Sequence, residues 1–312
     1  MTDPNWPWAT VLARHGRQLL VHCDDEPADR LRQAVTRGRR DDCCVGDRVA
    51  VSRPAPEQAV VESVAQRRNC VLRSDGGRTK LLAANVDQAG VVIAGDPPFS
   101  EALLMRALAV LHHQGIAPLI IATKTDLEHS QARIAARLAL YRALGYPVVE
   151  ISVPAQPAQA LERLQPWLLG RDTLLLGQSG MGKSTLINLL VPEAEQATRE
   201  ISSALSTGRH TTSFCRMFDV KIEDEPMPSS RRSRIIDSPG FQLFGIAHLS
   251  RSELMHGLPD FAALLGRCRF ANCLHLDEPA CAVQGAVQSG AIDRMRHHFY
   301  RELLPETLQA AR

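Results

Sequence analysis

Lysine is nearly missing from this 312-residue sequence: of its 36 basic residues only Lys80, Lys124, Lys183 and Lys221 are lysine. Where arginine serves almost everywhere, each retained ammonium asks for a reason, because the two cations are not interchangeable at a bound ligand. Aromatic residues are scarce as well, at 4%. No apolar run approaches the roughly 18 residues of a membrane span. The first residues, Met1–Ala9, lack a charged start followed by an apolar stretch, so no signal peptide is visible and a cytoplasmic location is expected. Neither sign of charge dominates: 36 basic against 34 acidic residues leave +2, too little by itself to argue for nucleic acid. Repeats and long low-complexity stretches are absent. With 45% hydrophobic and 22% charged residues, the composition is that of a folded chain, long enough for about two domains.

Eight cysteines are present, and a cytoplasmic chain does not use them as a disulfide framework. Cys23, Cys43, Cys44, Cys70 and Cys215 are scattered. Cys268, Cys273 and Cys281 are clustered around His275, which in a reducing compartment reads as metal before disulfide.

Three rhythms follow one another. Short β-branched runs at Ala9–Leu12, Gln18–His22, Asp47–Ser52 and Ala59–Val64, broken by glycine and proline, predict a small all-β barrel or sandwich. Arg37, Arg39, Arg40, Arg48 and Arg53 fall in or near its middle turns. They would suit a phosphate backbone or form a solvated surface. From about residue 80 strands and helices alternate: Val91–Ala94, Ala102–His113, Pro118–Thr123, Gln131–Leu144, Val148–Ser152, Thr173–Leu176 and Arg234–Ile236. That alternation predicts a doubly wound parallel α/β sheet, with ligands beyond the carboxyl ends of the strands. Beyond about residue 246, helices are expected at Ser252–His256, Asp260–Leu265 and Ala291–Leu304.

Gly177-Gln178-Ser179-Gly180-Met181-Gly182-Lys183-Ser184 fits the phosphate-loop pattern at every fixed position, between an apolar run and the helical Thr185–Leu190. Backbone amides would wrap phosphates at the positive end of a helix. Lys183 would meet the β/γ-phosphates and Ser184 a Mg²⁺. Asp237-Ser238-Pro239-Gly240 follows Ile235-Ile236: Asp237 can hold Mg²⁺ through water and Gly240 can offer its N–H to the γ-phosphate. Gly208-Arg209-His210-Thr211-Thr212 lies between them, where a threonine hydroxyl could complete the Mg²⁺ shell. Thr123-Lys124-Thr125-Asp126 ends another apolar run. Asp126 there would accept from the N1–H and N2–H₂ edge of guanine, which adenine lacks, and the Lys124 stem would lie along the base. The plainer alternative is a strand-end turn with Asp126 capping the next helix.

In common GTPases the base-reading motif comes last; here it precedes the phosphate loop. The same sheet is cut elsewhere, a circular permutation, and the segment after Gly240 leads straight into the Cys/His part. Gly177–Asn188, Gly208–Ser213, Asp237–Leu249, Ala83–Gln88 and Cys268–Cys281 together resemble the circularly permuted, ribosome-associated GTPases of the RsgA (YjeQ) type, over nearly the whole chain. The resemblance implies three domains: an N-terminal OB-fold β-barrel at 1–78, a circularly permuted GTPase domain at 79–245 and a C-terminal helical zinc-binding domain at 246–312. It implies a subunit-stimulated GTPase that assists late maturation of the small ribosomal subunit, with 16S rRNA as partner, no membrane, and a monomeric chain. GTP would be held by Thr123–Asp126 and Gly177–Thr185, with Mg²⁺ on Ser184 and Thr212. Lys183, Thr211, Thr212, Asp237 and Gly240 would serve hydrolysis.

Two departures stand out. The family's base motif opens with asparagine, where this chain has Thr123, whose hydroxyl makes only part of an amide's bonds. The glutamine expected after Asp237–Gly240 is Phe241, leaving His210 as the candidate to position the water, an assignment the resemblance supports. General-base action there contributes on the order of 10²–10⁴ in rate. Cys268-x4-Cys273-x-His275-x5-Cys281 offers a closed set for one structural Zn²⁺ and matches the family's motif. His297 and His298 are then expected on a helix surface, and Arg267 and Arg269, flanking the first ligand, could meet RNA phosphate. Two rival readings use the same residues: an RNA-binding module with a slow or inactive nucleotide switch, and a P-loop kinase or ATPase with an attached zinc domain. Asp126 and the permuted order argue against the latter.

Overall fold

The computed structural model describes residues 6–27, 29–37, 42–75, 78–194, 215–220, 232–238 and 245–309. Strands β1 (Trp8–His15), β2 (Gln18–Cys23), β3 (Arg32–Thr36), β4 (Arg48–Ala55) and β5 (Gln58–Val64) close into a barrel. Pairing runs β1–β2–β3–β5–β4 and returns from β4 to β1, with β3–β5 the one parallel contact among these five. Alternate residues point inward, as a period of two requires: Ala9 and Val11, Leu19 and Val21, Val49 and Val51, Ala59 and Val61 form its core. Arg48 and Arg53, expected in or near the middle turns, lie in β4 and pair with Asp24 and Asp25. The polar β3, with its alternating exposed residues, escaped the apolar-run criterion.

A hairpin of β6 (Cys70–Asp75) and β7 (Arg78–Ala84) follows, and the expected 78/79 boundary falls within β7. The Ala83–Gln88 motif joins barrel to sheet. Asn85, at φ 58°, donates to the Gly46 carbonyl at 2.9 Å. Asp87 accepts from the Asp172 amide at 2.9 Å. Gln88 is buried and donates to the Trp167 carbonyl at 2.6 Å.

The main sheet takes β8 (Gln88–Ile93), β9 (Ala117–Ala122), β10 (Val148–Glu150), β11 (Asp172–Gly177), β12 (Arg216–Asp219) and β13 (Arg234–Asp237) in the order β10–β9–β8–β11–β13–β12. All neighbours are parallel except β12 against β13. Helices α1 (Glu101–His113) and α2 (Glu128–Ala143) cover one face, α3 (Pro157–Leu168) and α4 (Lys183–Leu190) the other. Strand residues alternate between the two cores: Val91, Ile93, Leu174 and Leu176 face α1 and α2, Val92, Ala94 and Leu175 face α3 and α4. Double winding buries both faces, so these strands read as unbroken apolar runs.

The third part packs on the α1 side through α5 (Arg251–His256), α6 (Pro259–Ala262), α7 (Ala282–Ser289) and α8 (Arg294–Gln309). Ser250 and Glu253 close a capping box at the start of α5. Two expected helices need correction. The one at Asp260–Leu265 ends at Ala262, and the one at Ala291–Leu304 begins at Arg294 and runs to Gln309. Asp293 sets that start by accepting from the Met295 and Arg296 amides at 3.0 and 3.1 Å.

Gly257 ends α5 against α1. A Cβ there would stand 2.6 Å from Ala109 Cα and 2.8 Å from Ala109 O, so only glycine permits this approach. Gly257→Ala is therefore expected to cost about 1–3 kcal/mol in urea unfolding, as overpacking does. Gly285→Ala, inside α7 with open space around it, should be neutral or slightly stabilising.

Candidate functional site

The carboxyl ends of β11, β13 and β9 converge on one cavity. Strand β11 stops at Gly177 and α4 starts at Lys183. Gly180 (φ 80°) and Gly182 (φ 85°) take the left-handed turns between them, conformations that favour glycine. Met181 is buried beneath the loop. Gln178, Ser179, Gly180, Gly182, Lys183, Ser184 and Thr185 line a cavity of about 400 Å³ together with Lys124, Asp237 and Ser238. The amides that open α4 face it at the positive end of the helix. Lys183 Nζ donates to Asp237 Oδ1 and to the Ser238 carbonyl at 2.6 Å. The ammonium thus rests on the carboxylate at the end of β13.

The predicted base-reading loop meets this cavity through Lys124. Thr123 is buried; its hydroxyl lies 2.6 Å from the Met181 carbonyl and 3.3 Å from that of Ile93. The substitution of threonine for asparagine therefore keeps a bond to the phosphate loop. Lys124, at φ 58°, donates to the Asp96 carbonyl at 2.8 Å. Thr125 N–H reaches the Ile151 carbonyl at 3.5 Å. Asp126 is exposed, and its Oδ1 accepts from Ser152 Oγ at 2.5 Å. The helix-cap alternative fails: the residue at the N-cap of α2 is Leu127, with no side-chain cap bond. Asp126 is left as an exposed acceptor two residues beyond Lys124.

Ser152 was not foreseen, although it ends the apolar stretch at β10, where ligands of such sheets gather. Gln178 also has an unforeseen partner: its Oε1 accepts from the Ser100 amide at 2.6 Å. His210, Thr211, Thr212 and Gly240 lie outside the described residues, as does Phe241.

The metal cluster assembles as the spacing suggests. The ligand atoms of Cys268, Cys273, His275 and Cys281 all lie within 4.8 Å of one another. Cys268 Sγ stands 3.8 Å from Cys281 Sγ, and His275 Nδ1 is 3.4 Å from each of those two sulfurs. A tetrahedron with Zn–S bonds of about 2.3 Å places its sulfurs about 3.8 Å apart, so the donor set fits zinc in kind and in spacing. The turn between the ligands needs His275 at φ 63° and Ala280 at φ 56°. The Ala282 amide points at Cys268 Sγ at 3.3 Å, and the Cys281 sulfur caps α7, contacts that favour thiolates. His297 corrects an expectation. It is 7% exposed, and its Nε2–H donates to the His275 carbonyl at 2.8 Å. His298 is at the surface beside Glu302. Arg267 and Arg269 are exposed, Arg269 lying 5.5 Å over the Phe270 ring.

Burial pushes the Cys273 thiol up to about 12, so without metal it carries its proton at neutral pH. Zinc must displace that proton. Apparent zinc affinity is therefore expected to rise from pH 6 to pH 8, measured by competition with a chelator; a flat profile contradicts thiolate ligation here.

Comparison with known proteins agrees with this arrangement. Residues 64–247 match the RsgA GTPase family. The small ribosomal subunit biogenesis GTPase RsgA of Paraburkholderia phytofirmans is 48% identical over 97% of this chain and 94% of its own length. That of Burkholderia pseudomallei is 46% identical over 97% and 93%. The crystal structure of YloQ, a circularly permuted GTPase, superposes with a TM-score of 0.68 at 27% identity, covering 99% of this chain and 98% of that one. YjeQ from Thermotoga maritima has the same fold, with a TM-score of 0.70 at 24% identity over 97% and 98%. A GTP hydrolase built on a circularly permuted sheet, this chain belongs to the RsgA family of small ribosomal subunit biogenesis GTPases.

Proposed function

We propose that this chain binds the small ribosomal subunit late in its maturation, is stimulated by it to hydrolyse GTP, and leaves as GDP and phosphate form. The observation that carries this reading is the cavity lined by the phosphate loop, by Lys124 and by the Lys183–Asp237 ammonium–carboxylate pair, with the exposed carboxylate of Asp126 two residues beyond Lys124. The nearly full-length relatives named as small ribosomal subunit biogenesis GTPases supply the subunit. The barrel (1–78) and the zinc domain (246–312) flank the GTPase domain (79–245) and engage 16S rRNA; the chain acts as a cytoplasmic monomer.

In this reading the guanine edge sits on Asp126, oriented by Ser152, with the Lys124 stem along the base and Thr123 and Thr125 closing the loop. Gly177–Thr185 wraps the phosphates. When triphosphate arrives, Lys183 exchanges Asp237 for β- and γ-phosphate oxygens. Asp237, released from Lys183, would then be free to hold Mg²⁺ through water, with Ser184 and Thr212 as the residues that would bind the ion. Bound there, the ion would neutralise charge developing on the phosphates. Thr211 and the Gly240 N–H address the γ-phosphate, and His210 positions the attacking water. One zinc on Cys268, Cys273, His275 and Cys281 holds the third part together.

Phosphate release from GTP, with and without small subunits and with ATP as control, tests the proposal. A large GTP-specific stimulation is expected. His210→Ala should lower the stimulated rate by about 10²-fold or more if the imidazole acts as base. GTP binding without stimulation favours an RNA-binding module with a slow switch. Asp126→Asn should weaken GTP binding at least tenfold, since bonds to a charged acceptor contribute about 1.5–3 kcal/mol. Unchanged affinity in a direct titration would remove Asp126 from the base site.

A further inference from the structure

The third part meets the GTPase sheet through a chain of buried polar groups rather than apolar packing alone. It starts at the phosphate loop, where Gln178 Oε1 holds the Ser100 amide at 2.6 Å. The next residue, Glu101, is 6% exposed in the first turn of α1. Its carboxylate accepts from the Tyr141 hydroxyl and from Arg137 Nη2 and Nε at 2.7 and 3.1 Å. Arg137 also donates to Asp293 at 3.1 Å, the residue that starts α8. Arg296 is wholly buried; it grips Asp260 with two bonds of 2.6 Å and donates to the Tyr141 hydroxyl at 3.4 Å. Its neighbour His297 holds the carbonyl of His275, and Tyr300 holds that of Leu274 at 3.1 Å. The first turns of α8 thus clamp the backbone between two members of the metal set.

Ionic groups this deep carry a desolvation cost, and well-packed apolar residues often stabilise as well or better. Cohesion alone therefore does not explain the arrangement. We infer that Tyr141 and Arg296 are positioning residues for the phosphate loop, and that through them zinc occupancy and nucleotide affinity control each other. The inference rests on zinc occupying the cluster. Metal fixes the left-handed turn at His275 and so the carbonyl that His297 holds. That contact anchors the first turn of α8, which carries Arg296 and follows directly on Asp293. They orient Tyr141 and Arg137 on Glu101, whose turn presents the Ser100 amide to Gln178. Release of zinc loosens this sequence at its far end. By linkage, nucleotide tightens zinc binding by the same factor as zinc tightens nucleotide binding.

The test uses full-length, zinc-loaded protein equilibrated with a chromophoric zinc chelator, with and without saturating Mg²⁺-GDP. Zinc content and binding of a fluorescent GDP analogue are measured on the same samples. Wild type should hold zinc about fivefold or more tightly with GDP, the lower end of typical coupling. Tyr141→Phe keeps the ring and removes the bridge; it should reduce that factor to below twofold while its zinc affinity without GDP stays within twofold of wild type. If Tyr141→Phe does not fold, Arg137→Met, nearer the surface, carries the same expectation. Wild-type zinc affinity indifferent to GDP, or a variant with undiminished coupling, overturns the inference. A purified wild type that holds no zinc, or binds no GDP, shows instead that the site assignment itself has failed, and the coupling with it.

Discussion

One hydroxyl joins two loops that the chain separates widely. Thr123 at the end of β9 donates to the carbonyl of Met181 inside the phosphate loop, and so ties that loop to the turn carrying Asp126, the carboxylate we propose reads guanine. The distance between loop and turn is what a bound guanine nucleotide would measure. It depends on the sheet order β9–β8–β11, not on which strand is made first. The permuted chain can therefore be cut and rejoined elsewhere without disturbing the site, because the contacts that define it run between strand ends.

What permutation changes is the sequence neighbour of each loop. In this chain β13 is followed by the segment that enters the third part, and α1 lies between that part and the sheet. The close approach at Gly257 and the buried Arg296–Asp260 pair fasten the part carrying the Cys/His cluster to the helix whose first turn touches Gln178. Nucleotide loop, helix and metal centre are therefore neighbours in space through a short set of bonds, although they lie far apart in sequence.

Much of this was legible in the residues. Double burial makes β8, β9 and β11 conspicuous as apolar runs, and the phosphate loop declares itself by fixed glycines between strand and helix. The Cys/His spacing gives the metal set because four soft donors in a short stretch have few other uses. What stayed hidden depends on tertiary context. Strand β3 is held by the barrel rather than by hydrophobicity, with Arg32 and Val35 facing opposite ways. α7 is short and capped by a ligand sulfur. The helix-cap alternative for Asp126 stayed open because sequence cannot say that α2 begins one residue later without a cap. His297 read as a surface residue because no local pattern reveals a carbonyl partner 22 residues away.

The barrel meets the main sheet where β1 pairs with β12 at Ala13 and Arg216. An open sheet presents unpaired amides and carbonyls at each edge, a template for adhesion to other chains. Here one edge is only the three residues of β10, and the other runs into a closed barrel that has no edge of its own. The barrel is thus also a terminator for the sheet. Excised from it, the GTPase domain would bare the flank of β12 and gain an adhesive border that the whole chain keeps covered.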